Sequence, residues 1–162
     1  MSNELNNFLN TGFNRYKEAH DVYWHFRNEI KVLLTTTMTD RENFGRLDIK
    51  ADSIFFKHWG NGLYLTSRID GKIEGNSFSI GIGIDWGYEF YKKPIPFAWI
   101  EDENRKYIKL HDIYSWTNDR YNKNQQLGYT NSFSVEELDM IFNNLMDELV
   151  AYLDELVIMP KD

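Results

Sequence analysis

Apolar residues recur at intervals of three and four from Leu5 to Leu34, alternate with polar ones between Arg46 and Leu110, and return to helical spacing from Val135 to Leu156. Two changes of period within one chain leave few solutions. Each end can bury only a helical stripe, the middle only a pleated face, so helices must lie against a sheet. The expected fold is α+β: one domain over residues 1–162, an antiparallel meander of five or six strands, and long amphipathic helices at both ends.

The first helix is expected over about residues 4–34, ended by the Thr35-Thr36-Thr37 run, because β-branched residues are poor helix extenders. Strands are expected near 46–57, 62–69, 72–85, 88–92, 96–101 and 106–110, with turns at Gly60-Asn61-Gly62 and Asp70-Gly71. The connections are too short for crossover helices, so neighbouring strands should run antiparallel. Residues 117–131 read as a long polar loop. Ser134 with Glu137 three positions later has the form of a capping box, opening a second helix over about 135–158. Both helices are expected to cover one face of the sheet.

Aromatics make up 16% of the chain, so a core or surface built of large rings follows. The absence of Cys removes disulfides, thiolate nucleophiles and cysteine-ligated metals together. No stretch has the form of a signal peptide or the ~20 apolar residues of a membrane span, so a cytoplasmic location without membrane association is the expectation. The net charge of −7 argues against direct nucleic-acid binding, which needs clustered Lys and Arg.

That charge is concentrated. Glu136, Glu137, Asp139, Asp147, Glu148, Asp154 and Glu155 lie between Ser134 and Pro160 with no basic residue among them. Asp154 and Glu155 fall in the last helical turn, where the helix dipole disfavours negative charge and no Lys or Arg at i+4 offsets it. An acidic face kept at local cost points to a basic partner surface. On the first helix, Phe13, His20, Trp24, Arg27 and Lys31 flank the apolar stripe, and Trp with Arg is a combination enriched at binding hot spots. The leading functional expectation is a non-enzymatic interaction protein of the inhibitor, immunity or adaptor type, with no cofactor or metal. Its partner is another protein with a basic surface, contacted through Glu136, Glu137, Asp147, Glu148, Asp154, Glu155, Trp24 and Arg27. A second copy of the chain is a further candidate partner.

Two alternatives rest on the sheet. In the segment from Ser77 to Gly87, strand geometry puts Phe78, Ile80, Ile82 and Ile84 on one face and Ser77, Ser79, Gly81, Gly83 and Asp85 on the other. A face so free of bulk is either crossed by rings from adjacent strands, with Tyr64, Tyr88 and Phe90 the candidates, or forms a small-molecule site from Ser79, Gly81, Gly83, Asp85 and Trp86. It lacks the third glycine and helix start of a dinucleotide loop. Asp48-Ile49-Lys50 is similar to the Asp/Glu-x-Lys pair of metal-dependent nucleases. That likeness implies Asp48 as a Mg²⁺ ligand and Lys50 orienting water, with a second acid from Glu42, Asp52, Asp85 or Glu89. Glu18, Asp21, His25 and Glu29 form a further helical stripe, for which a solvated face is the expectation.

Overall fold

The computed structural model describes residues 3–41, 43–59, 64–85, 94–103, 126–129, 132–156 and 158. A short helix α1 (Asn3–Asn7) passes through a π-helical turn (Phe8–Gly12) into α2 (Phe13–Thr39). Four long strands follow: β1 (Asp48–Trp59), β2 (Tyr64–Ile73), β3 (Asn76–Asp85) and β4 (Ile95–Asp102). After a three-residue β5 (Gln126–Gly128), the 3₁₀ turn Val135–Glu137 leads into α3 (Leu138–Glu155). The strands pair antiparallel in the order β1-β2-β3-β4-β5, the meander that short connections dictate.

Several boundaries differ from the sequence expectation. The threonine run does not end the first helix, which continues to Thr39. Thr37 and Thr39 turn their hydroxyls back to the carbonyls of Leu33 (2.9 Å) and Thr35 (3.0 Å), while Leu34, Thr37 and Met38 are buried. Burial of one face outweighs a propensity cost of a few tenths of a kcal/mol per residue, roughly, for each threonine.

Asp70-Gly71 is not a turn but lies inside β2, because Leu47 and the carbonyl of Asp48 crowd the space beside Gly71. The hairpin turns instead at Glu74-Gly75, both with positive φ (50° and 83°), the signature of a type I′ turn that suits the right-handed twist of the strands. Within the expected polar loop, Gln126–Gly128 forms β5 on the edge of β4. The expected strands at 88–92 and 106–110, and the turn at 60–62, lie outside the described residues. The last helix ends at Glu155, with Leu156 already extended (ψ 118°).

The sheet is buried on both faces. On one, Phe78, Ile80, Ile82 and Ile84 of β3 meet Leu65, Ile69 and Ile73 of β2, Ala98 and Ile100 of β4, and the apolar side of α3. Each such side chain stabilises the fold by about 1.5–3 kcal/mol through area removed from water. On the other face Ile95, Phe97 and Trp99 form a second cluster. The N-terminal helix covers the sheet only with its last third. Its buried residues are Ile30, Leu34, Thr37 and Met38, and everything from Asn3 to Val22 is exposed save half-buried Gly12.

Candidate functional site

The acidic helix is organised around its burial. Leu138, Ile141, Phe142, Leu145, Met146, Leu149 and Leu153 occupy one side, so the intervening acids are turned outward. Glu136, Glu137, Asp139, Asp147, Asp154 and Glu155 are all exposed, and Glu148 is half-buried. Glu137 closes the expected capping box, its carboxylate accepting the Ser134 N–H at 2.6 Å. The Glu136 carboxyl is held below its ordinary range by a backbone N–H and then by the Ser134 hydroxyl.

Two arginines from the α2–β1 connection balance part of this charge. Arg41 donates to Asp147 at 2.6 Å and to the carbonyl of Asn143 at 2.7 Å. Arg46 donates to the carbonyl of Leu156 at 2.6 Å and pairs with Glu74 of the hairpin turn. The cation missing from the helix's own last turn is thus supplied from more than a hundred residues away, at the end where the dipole favours it.

Beside the helix runs a groove of about 240 Å³, lined by Gly128 at the end of β5, by Tyr129 after it, and by Ile141, Asn144, Leu145, Asp147 and Glu148 of α3. The groove combines an aromatic ring with two carboxylates, of which Asp147 is already paired with Arg41, and a long basic side chain, with its apolar stem and charged head, suits such a lining. Asp147 and Glu148 are legible in the sequence as members of an acidic helix face, whereas Tyr129 is not, since β5 does not read as a strand.

The second surface is the helical arm. Trp24 is 41% exposed, and its indole N–H donates to Nε2 of His20 at 2.5 Å. The Arg27 guanidinium sits 4.7 Å from the Trp24 ring and 5.3 Å from the Phe56 ring of β1. Tyr16 continues the row, 5.9 Å from His20, and Phe8 meets Phe13 edge-on at 6.5 Å. Trp24 and Arg27 therefore belong to a longer ladder of rings than their spacing alone indicated. The missed members, Leu5, Phe8, Leu9 and Tyr16, gave a periodicity that fits core contact as well as exposure.

The glycine-lined strand is close-packed. A Cβ on Gly81 would overlap the six-membered ring of Trp99, the residue directly opposite on β4, and one on Gly83 would lie 2.5 Å from the carbonyl of Leu65. The ring beside Gly81 comes from β4. The side chain of Tyr64 and all of Trp86, Tyr88 and Phe90 lie outside the described residues. Ser79 donates to Asp70 at 2.6 Å, Asp70 is paired with Arg68 at 3.0 Å, and Asp85 is 1% exposed. A ligand would reach the backbone at Gly81 only by displacing Trp99.

Asp48 is exposed at the end of the sheet where it pairs in register with Lys72, next to Ser77. Asp85 lies at the other end of β3, on the order of 26 Å away at strand rise, so the two cannot share a metal ion. The side chains of Lys50 and Asp52, and residues Glu42 and Glu89, are outside the described set. On α2, His25 pairs with Glu29 at 3.0 Å and His20 lies 3.6 Å from Asp21, all exposed. Among the described residues no three His, Asp or Glu side chains converge on a metal position, and no helix is long and apolar enough to cross a membrane.

No family model, curated protein or solved structure matches this chain.

Proposed function

We propose that this chain is a non-enzymatic interaction protein, of the inhibitor, immunity or adaptor type, that binds a basic surface of another protein through the acidic face of α3. One observation carries the reading. Asp147 and Glu148 line a groove walled by Tyr129, with the exposed carboxylates of Glu136, Asp139, Asp154 and Glu155 along the same helix. The groove takes one Lys or Arg side chain, and the flanking acids supply the field that orients its protein. Trp24 and Arg27 lie on a separate element and contribute contact area rather than charge.

Such an interface gains on-rate and specificity from charge, so its affinity falls steeply as salt screens the field. The test is capture on the immobilised chain from native lysate at low salt, elution at high salt, and mass spectrometry, repeated with Glu136→Lys/Glu155→Lys. A stoichiometric basic protein held by the wild type, released by salt and lost by the charge-reversed variant is the expected result. Equal retention of the same protein by both forms, at high salt as at low, would refute the acidic face as the binding site.

A further inference from the structure

We infer that His20 is a proton-operated latch on Trp24: the neutral imidazole holds the indole N–H of Trp24, and the imidazolium releases it and turns to Asp21. The latch lies on the N-terminal helix, and the inference does not rest on the acidic face.

Helical spacing brings the parts together. Tyr16, His20 and Trp24 stand four apart, the separation that makes side chains neighbours on one helical face, and Asp21 follows His20 directly. The Trp24 N–H donates to Nε2 of His20 at 2.5 Å. An indole nitrogen only donates, so Nε2 must be the bare nitrogen of the imidazole, and the ring proton sits on Nδ1. On that side Oδ1 of Asp21 is 3.6 Å away, near enough to attract a charge but too far for a hydrogen bond. The neutral ring is therefore committed to Trp24.

Protonation reverses the commitment. Histidine is the side chain whose charge ordinarily changes between about pH 5 and 8. Once Nε2 carries a proton, two N–H groups face each other where one had to accept, and the bond is lost. Left in place, the imidazolium would also share the Trp24 ring with Arg27, 5.8 Å and 4.7 Å from it, two like charges on one indole. Trp24 is the better anchored of the two rings, because the same Arg27 guanidinium lies 5.3 Å from the Phe56 ring of β1 and ties the indole to the sheet. The His20 side chain is 44% exposed, with Tyr16 5.9 Å away on its own helix. The moving part is then the imidazolium, and the Asp21 carboxylate takes its charge. Each state has its own contact, which is what a two-state switch requires.

Few charged or titratable groups surround the latch. On its own helix these are Tyr16, Lys17, Asp21 and Tyr23, with Arg27 beyond the indole. The sheet meets this row through Phe56, an apolar ring beneath Arg27 and Lys31. The consequence falls on a presented surface, since Trp24 is 41% exposed. With His20 neutral, the polar edge of the indole is capped and the ring offers apolar area alone. With His20 protonated, the N–H becomes a donor for solvent or for an acceptor on another molecule.

The experiment is NMR spectroscopy of the ¹⁵N-labelled full chain between about pH 8 and pH 5. The Trp24 indole resonance is identified by its loss in Trp24→Phe. At the alkaline end the expected result is a His20 ring protonated on Nδ1, with an Overhauser contact between the Trp24 N–H and that ring. As pH falls the contact should disappear, and the indole proton should move upfield as its hydrogen bond is lost. His20→Ala should make the resonance independent of pH. His25→Gln should leave the transition as it is, although His25 is a second exposed imidazole on the same helix, 3.0 Å from Glu29. His20, Trp24 and His25 are all exposed, so the variants should keep the far-UV circular dichroism of the wild type. An indole resonance that does not move with pH, a transition that survives His20→Ala, one that is lost in His25→Gln, or a His20 ring protonated on Nε2 at the alkaline end would each overturn the proposal.

Discussion

Replacing Arg46 with Met tests whether a loop arginine, rather than the helix's own sequence, stabilises the acidic C-terminus of α3. Two interactions are lost with similar side-chain bulk retained. The 2.6 Å bond to the Leu156 carbonyl is charge-assisted and partly buried, worth about 1.5–3 kcal/mol in that class. The pair with Glu74 contributes less, about 0.5 kcal/mol after solvent screening, because the side chains are 32% and 64% exposed.

Loss of a cation near the helix C-terminus adds a few tenths more, roughly, at the exposed end of the 0.3–1 kcal/mol range. A total near 2–4 kcal/mol follows, or a fall in Tm of about 4–16 °C for a domain of this size. Urea unfolding followed by tryptophan fluorescence and far-UV circular dichroism gives the free energy. Glu74→Gln in the same background separates the two parts through a double-mutant cycle. A loss below about 0.5 kcal/mol for Arg46→Met would place it among ordinary surface substitutions and refute the assignment of Arg46 as the helix's C-terminal cation.

Gly81→Val should destabilise by about 2–3 kcal/mol or more through collision with Trp99, and Trp99→Ala in the same chain should recover part of that loss, as read by chemical denaturation. Burial raises the Tyr152 hydroxyl above its ordinary 10, so stability is fully present below pH 10 and declines as pH rises through the raised value; Tyr152→Phe should flatten that alkaline decline in a Tm-versus-pH series. Glu136 has the opposite sign. Its lowered carboxyl contributes stability above its ordinary 4.5 that is lost as pH falls, and Glu136→Gln should remove this part of the acid dependence. Glu137→Ala opens the capping box and should cost about 0.5–1.5 kcal/mol, measured in urea.

The layer order and the antiparallel sheet were legible because period changes report which side chains share a face. Burial by tertiary packing was not. Thr35 to Thr37 read as a stop because propensity is local, while Leu34 and Met38 carry the helix past it through contacts with residues distant in sequence. Asp70-Gly71 carries the commonest hairpin signal, yet the glycine serves close approach of Leu47, and Glu74-Gly75 makes the turn.

The glycine face of β3 was read correctly as a place where something approaches. Which ring approaches depends on the register Gly81–Trp99, and alternation within one strand carries no information about register. The same holds for the acidic helix. Its local charges read as uncompensated because Arg41 and Arg46 reach it only through the path of the loop.

Periodicity is likewise silent on what covers a face. Tyr16 and Leu34 sit on one stripe of one helix, and only the placement of the sheet separates the bare from the buried. Charge divides at a different place, since the whole helix from Asn3 to Thr39 is neutral and the remainder carries −7. The contact proposed for α3 needs a field that salt can screen, and the exposed rings of the arm supply none. With the excess acid on α3 and the N-terminal helix balanced, the field is confined to one face, so raising salt should release the proposed basic partner from the wild type and from Tyr16→Glu alike.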